Sequence, residues 1–205
     1  MGKVVVDLSM SLDGFVTGPN DTIEQGLGEG GERLHDWIFA GNAEGSPRTS
    51  AIGDNREVMD ELFQSTGAMV MGRRWFDFGE RPWGDDPPFH VPVFVLTHHA
   101  RETLYKGETT FTFVTDGIEN ALRQAQEAAG DKNVAVGGAN TAQQYLKAGL
   151  LDEIQIHLVP ILLGNGRRLF EQLDMQPIEL EKIRVIESPD VTHLRFRIVK
   201  SPTKG

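Results

Sequence analysis

Three apolar runs in the sequence each end in a cluster with the chemistry to grip an anion. Val134-Ala135-Val136 leads into Gly137-Gly138-Ala139-Asn140-Thr141, Met69-Val70-Met71 into Gly72-Arg73-Arg74-Trp75, and Val93-Phe94-Val95-Leu96 into Thr97-His98-His99. In the first, Asn140 reads as the cap of a helix, so a strand runs almost directly into a helix N-terminus. Gly137 and Gly138 carry no Cβ, and the unpaired N–H groups of the first helical turn would face a phosphate or pyrophosphate. The same pattern also describes a tight turn that binds nothing, and it is not the G-x-G-x-x-G dinucleotide fingerprint. Arg73 and Arg74 read either as phosphate ligands or as a solvated basic pair. His98 and His99 are adjacent, so at a strand end they point apart, and with no carboxylate cluster nearby in sequence a metal site is rejected.

The elements that position these clusters follow from periodicity. Val4 to Met10 alternates as a strand with one apolar face, which leaves Asp7 on the other. A loop of turn formers, Ser11 to Asp21, follows and reads as a flap. Thr22 to Gly53 is glycine-rich and irregular apart from a short helix over Glu32–Phe39. Helical spacing marks Asp54 to Gln64, Gly117 to Ala129 and the run that Gly149 ends; strands are expected at Gly67–Gly72, Val91–Leu96, Phe111–Thr115 and, half-exposed, at Ile154–Leu158. Two last strands, around Ile178–Glu187 and Thr192–Val199, are joined by Ser188-Pro189-Asp190 as a hairpin. Alternating strands and helices with a closing hairpin predict an α/β fold whose mixed, mostly parallel sheet has an antiparallel C-terminal edge. In such sheets ligands bind beyond the carboxyl ends of the strands, where all three clusters stand.

Composition narrows the functional classes. The 205 residues, 39% hydrophobic and 24% charged, suit a single globular domain spanning residues 1–205, and no apolar run approaches the ~20 residues that cross a bilayer. With no cysteine there is no disulfide framework or thiol nucleophile, and no export signal opens the chain, so a cytoplasmic protein is expected. The formal charge of −10 opposes nucleic-acid binding, so a phosphate partner must meet a local basic cluster.

Several motifs in one order give the chain a family resemblance. Ser11-Leu12-Asp13-Gly14, Val70-Met71-Gly72-Arg73-Arg74-Trp75, Val95-Leu96-Thr97, Val136-Gly137-Gly138-Ala139 and the segment from Leu151-Asp152-Glu153-Ile154 through Pro160 to Gly166 resemble the dihydrofolate reductase-like superfamily. The similarity is greatest to the reductase domain of the bacterial riboflavin-biosynthesis deaminase/reductase. It implies a sheet of about eight strands with flanking helices, NADPH across the strand ends, hydride delivery to a small heterocycle, and a homodimer. It further implies a pyrophosphate held by Val136, Gly137, Gly138, Ala139, Asn140 and Thr141, and a second phosphate turn at Gly72 and Arg73 beside Trp75. Arg74, Leu96, Thr97 and His98 would border the adenosine 2′-phosphate. Val16, Thr17 and Gly18 of the flap would lie near the nicotinamide, and Arg167 and Arg168 are candidates for the substrate's phosphate. Asp13 reads either as part of the flap's function or as a turn cap.

The acid departs from the family pattern. Folate reductases place a carboxylate on the first long helix, where this chain has Arg56 with Asp54, Glu57 and Asp60 as neighbours; Asp7 and Asp60 are the remaining candidates. No H-x-E or C-x-x-C signature marks a deaminase half. The expected activity is NADPH-dependent reduction of a phosphoribosylamino-uracil of riboflavin biosynthesis. The alternatives are pterin reduction and NADP(H) binding without turnover.

Overall fold

The computed structural model describes residues 2–41, 51–171, 173 and 177–200. The chain opens with β1 (Val4–Ser11) and β2 (Phe15–Thr17), then a 3-10 turn at Gly31–His35 that continues as α1 (Asp36–Phe39). There follow α2 (Asp54–Ser65), β3 (Thr66–Gly72), α3 (Arg73–Gly79), β4 (Pro92–Leu96), β5 (Leu104–Lys106) and β6 (Thr109–Val114). After them come α4 (Ile118–Ala129), β7 (Asn133–Gly137), α5 (Ala139–Lys147), β8 (Glu153–Val159), β9 (Arg167–Arg168), β10 (Leu180–Ser188) and β11 (Val191–Ile198).

Nine strands form one sheet in the order β10-β11-β8-β1-β7-β3-β4-β6-β5. From β8 to β6 every pairing is parallel. At one edge β11 and β10 are antiparallel, as the hairpin signal predicts. The other edge, β5 on β6, is also antiparallel; the expectation of about eight strands omitted it because Leu104–Lys106 is too short to show a period. A second, two-stranded sheet pairs β2 with β9 and ties the flap to the arginine turn.

Parallel strands are covered by helices on both faces, which is why Val4-Val5-Val6 and Val134-Ala135-Val136 are apolar throughout. One face carries α4 and α5, with Val6, Val70, Val136, Leu122 and Tyr145 in a single core cluster. Alternation along β3 sends Met71 to the opposite face, where it packs with Phe76, Val93, Val95 and Phe111 under α3. A third cluster, around Leu34, Trp37 and Met59, lies between α1, α2 and the sheet. Each fully buried side chain of this size contributes about 1.5–3 kcal/mol.

Register decides where the polar clusters stand. Met71 pairs with Gly137, Gly72 with Leu96, and Leu96 with Val114, so the ends of β3, β4, β6 and β7 are level. Three expectations need correction. Asn140 does not cap α5: Gly138, with φ 88°, makes the turn, so the helix begins two residues sooner and Asn140 Oδ1 accepts from Gln144 Nε2 at 2.7 Å. Strand β8 is mostly buried rather than half-exposed, because β1 and β11 flank it and both its faces are covered. The segment Glu32–Phe39 is not one helix but a 3-10 turn followed by a single α-helical turn. Among the described residues no helix is long and apolar enough to cross a membrane.

Candidate active site

A cleft of about 670 Å³ opens over the level strand ends. Val16, Thr17, Gly72, Arg73, Arg74, Trp75, Leu96, Thr97, His98, Gly138, Ala139, Asn140, Thr141 and Arg167 line it, so most of the residues expected to hold a cofactor share one cavity. Gly18, Val136 and Gly137 stand behind that lining. Gly18 donates its N–H to Leu27 O, Val136 is core, and Gly137 supports Trp75. Arg168 turns away: its guanidinium lies 4.3 Å from the Phe15 ring centroid and donates to the Asp13 carbonyl.

The two glycine turns face each other. A Cβ on Gly72 would come within 3.0 Å of Thr141 Oγ1, tight enough that the threonine would have to give by a few tenths of an ångström. Ala142 N–H bonds back to Gly138 O, which leaves the amides of Ala139, Asn140 and Thr141 without an acceptor inside the helix. Beside them Arg73 Nε donates to Asp77 Oδ1 at 2.6 Å. Thr97 Oγ1 accepts from His99 N at 3.1 Å and so shapes the turn after β4.

Asp21 and Asp13 organise the flap. Arg74 Nε and Nη2 donate to Asp21 Oδ2 and O, while Arg167 Nη2 lies 3.5 Å from the same carboxylate. Burial would raise the Asp21 carboxyl, but the two arginines outweigh it and hold it below its ordinary value. Arg74 also stacks on Phe78, 4.6 Å from the ring centroid. Asp13 accepts from Ser11 Oγ at 2.6 Å, Leu163 N at 3.2 Å and Gly164 N at 2.7 Å, which makes it a fastening between loops.

The floor of the cleft holds Ser9, Thr17 and His35. Ser9 Oγ accepts from Trp37 Nε1 at 3.1 Å. Burial, with the neighbouring His157 adding to it and the Gly31 carbonyl opposing, lowers His35 from 6.5 to about 4, so its ring is neutral at pH 7. Below the floor runs a buried polar chain that leaves Asp7 Oδ2 without a hydrogen-bond partner among the described residues. Asp7 Oδ1 accepts from His157 Nε2 at 2.9 Å, the Nδ1 atoms of His157 and His193 are 2.7 Å apart, and His193 Nε2 donates to Asn55 Oδ1 at 2.9 Å. Trp37 packs on both imidazoles, at 4.6 and 5.1 Å between centroids.

Neither candidate acid reaches the cleft. Asp7 belongs to the buried chain and borders a separate narrow crevice with Glu61 and Arg195, because the polar side of β1 faces α2. Asp60 is on the outer side of α2, 3.9 Å from Arg56. Among the described residues no group of three or more His, Asp or Glu side chains is placed to hold a metal ion.

The profile of the RibD C-terminal domain matches residues 2–194. The chain belongs to that family. A curated relative is YyaP of Bacillus subtilis, itself uncharacterised, 22% identical over 175 residues covering 82% of this chain and 80% of that one. A candidate riboflavin biosynthesis protein of Shewanella sp. PV-4 superposes with a TM-score of 0.70 at 23% identity, covering 97% and 99% of the two chains. The Thermotoga maritima diaminohydroxyphosphoribosylaminopyrimidine deaminase/5-amino-6-(5-phosphoribosylamino)uracil reductase gives 0.61 at 14% identity, over 97% of this chain and 57% of that one. Dihydrofolate reductase of Enterococcus faecalis, complexed with NADP(H), gives 0.57 at 12% identity over 97% and 98%. These likenesses establish a dihydrofolate reductase-like fold.

Within this RibD C-terminal domain, sequence reading passed over Ser9, Asp21 and His35. Ser9 was legible in principle, since strand alternation puts it on the polar side of β1 with Asp7. His35 sits in a glycine-rich stretch with no clear period, and only its spacing from Trp37 hinted at a packed turn. Asp21 carried no local signal: its partners Arg74 and Arg167 are 53 and 146 residues away in sequence.

Proposed function

We propose that the protein is an NADPH-dependent reductase that transfers a hydride to a small, flat heterocycle. One observation carries the reading: the Gly72–Thr141 slot and the open first turn of α5 meet over a cleft of about 670 Å³, within the ~300–1,000 Å³ usual for ligand sites. The residues present fit the cofactor, because backbone amides and the Thr141 hydroxyl offer donors where a diphosphate needs them. When bound, NADPH supplies the hydride from its nicotinamide ring.

The chain's own groups divide the work. Ala139, Asn140 and Thr141 would hold the pyrophosphate, and Arg73, Thr97 and His98 border the adenosine end. Arg74 is held by two bonds to Asp21 and stacked on Phe78, whereas Arg73 has one bond, to Asp77, so we assign the 2′-phosphate to Arg73 and His98 first. Val16 and Thr17 bound the other end, where the β2–β9 flap excludes water. Membership of the RibD C-terminal domain family, and the likeness to a protein named as a uracil reductase, favour the riboflavin-pathway pyrimidine as acceptor. A cytoplasmic homodimer completes the proposal, and sedimentation at several concentrations checks the dimer.

Fluorescence titration with NADPH and NADH tests the cofactor. NADPH should bind at least ~10-fold more tightly, a difference of ~1.4 kcal/mol, and Arg73→Ala should erase most of it. Equal affinities would remove the 2′-phosphate assignment, and no binding of either would remove the reductase reading. Loss of nicotinamide absorbance with the pyrimidine then reports turnover.

A further inference from the structure

Three segments that line the cleft meet at one carboxylate. Asp21 belongs to the loop after β2, Arg74 to the first turn of α3 and Arg167 to β9, and all three residues border the cavity. Arg74 Nη2 lies 3.0 Å from Asp21 Oδ1 and its Nε donates to Oδ2 at 3.1 Å, whereas Arg167 Nη2 stays 3.5 Å from Oδ2. At that distance the second guanidinium is attracted but poorly hydrogen-bonded. Among the described residues neither arginine has another carboxylate partner, in contrast to Arg73 with Asp77 and Arg101 with Glu80. The loop closes on itself through other bonds, from Gly18 N to Leu27 O, Glu29 N to Pro19 O and Thr22 N to Gln25 O. The Asp21 carboxylate takes no part in them and is directed outward, to the two arginines.

We infer that Asp21 is a built-in competitor on an anion seat formed by Arg74 and Arg167, a strap that a dianionic phosphate displaces and a monoanion does not. The inference rests on the reductase reading only in taking the cleft as the ligand site. Two guanidinium charges face one carboxylate charge, and that carboxylate matches one arginine better than the other. A phosphate monoester brings three oxygens and a charge of about −1.5 to −2, enough to bond both. Arg74 and Arg167 stay 54% and 40% exposed against 16% for Asp21, so a solute reaches the guanidinia directly. Burial opposes the Asp21 charge, yet the arginines hold its carboxyl below the ordinary value, so the strap is set at neutral pH. Exposed ion pairs are weak, and a ligand that gains the second guanidinium can undo this one. Asp21 then acts as a specificity residue: ligands lacking a dianion bind against the strap. Two sources supply such a dianion, the 2′-phosphate of the cofactor and a phosphate monoester on the substrate.

Titration of the whole protein at about pH 8 with inorganic phosphate, mainly a dianion there, and with dimethyl phosphate, a monoanion, tests the strap. Wild type should bind phosphate and show no saturable binding of dimethyl phosphate. Asp21→Asn should tighten phosphate by about 5-fold, the most that a surface ion pair provides, and bring dimethyl phosphate into range. Adding Arg167→Ala should cancel the gain, which assigns it to this seat and not to the turn before α5. If Asp21→Asn melts like wild type but binds phosphate no more tightly, Asp21 is a structural tether and the strap is overturned; wild type that takes both probes equally overturns it too. Nuclear magnetic resonance of wild type gives a reading that needs no variant. The Asp21 carboxylate carbon and Arg74 Nε–H signals should shift together as phosphate is added, and stationary signals count against the strap. Repeating the titration on protein saturated with 2′-phospho-ADP-ribose separates the sources: abolished phosphate binding assigns the seat to the 2′-phosphate, retained binding to a substrate phosphate, and either supports the strap. Failure to bind NADPH would remove the reductase reading alone, since the phosphate probes still decide the strap.

Discussion

The Cζ3 edge of the Trp75 indole abuts Gly137, so close that a Cβ there would come within 1.6 Å of Cζ3. The glycine therefore supports the wall of the cleft rather than lining it. Gly137→Ala should push Trp75 into the cavity, destabilise the fold by about 1–3 kcal/mol as overpacking does, and weaken NADPH binding in parallel. Urea midpoints and a titration check this; an unchanged midpoint would mean that Trp75 moves freely.

Glu153 is 1% exposed, bonded to Lys3 and, at 2.7 Å, to Arg195 Nε, while Arg195 also reaches Glu61. Removing Glu153 leaves Arg195 with Glu61 as its remaining partner and Lys3 in solvent. Glu153→Ala should cost about 1–3 kcal/mol, and Glu153→Leu combined with Arg195→Met less. Equal losses in the single and double variants, by chemical denaturation, would count against this account.

Acid should weaken the fold before the carboxylates titrate. Burial, with help from His157, lowers both His35 and His193 from 6.5 to about 4; Arg184 adds to the shift at His193 and Asp7 opposes it. Between those values the unfolded chain binds protons that the folded chain refuses, so stability is full above about pH 6.5, falls as pH drops, and levels off below about pH 4. Urea midpoints from pH 7.5 to 4.5 should show this slope, and His193→Gln should flatten it. A flat wild-type profile would be inconsistent with neutral buried rings.

Asp21→Asn should release Arg74 and Arg167 together. Surface ion pairs are worth only ~0–1 kcal/mol, so global stability should change little. Amide exchange across residues 18–29 should quicken, since Asp21 joins that loop to α3 and β9. Protection unchanged in that segment would show that backbone bonds such as Gly18 N to Leu27 O suffice.

Much of the architecture was readable because its signals are local. The run Met69-Val70-Met71 and the helical spacing of Gly117–Ala129 each report their own burial, and β3 and α4 stand within a residue or two of the expected bounds. The level strand ends were readable only as a consequence of the parallel fold. What escaped depends on distant partners. Arg74 reads as a phosphate ligand until Asp21 is seen to hold it, and Asp7 reads as a cleft residue until His157 is seen beneath β1. Asn140 misled for a nearer reason: a glycine with positive φ can start a helix unaided, and the asparagine's capping chemistry then turns to Gln144.

The pairing of Met71 with Gly137 and of Gly72 with Leu96 makes the cleft inseparable from the core. Sliding β7 by one residue would carry Gly138 about 3.3 Å along the strand, and it would also turn Val134 and Val136 away from α4 and α5. Any mutation that misplaces the turn in this way therefore unfolds the protein first. Descendants of this chain are free to change what they bind by altering side chains around a backbone frame that stability alone preserves.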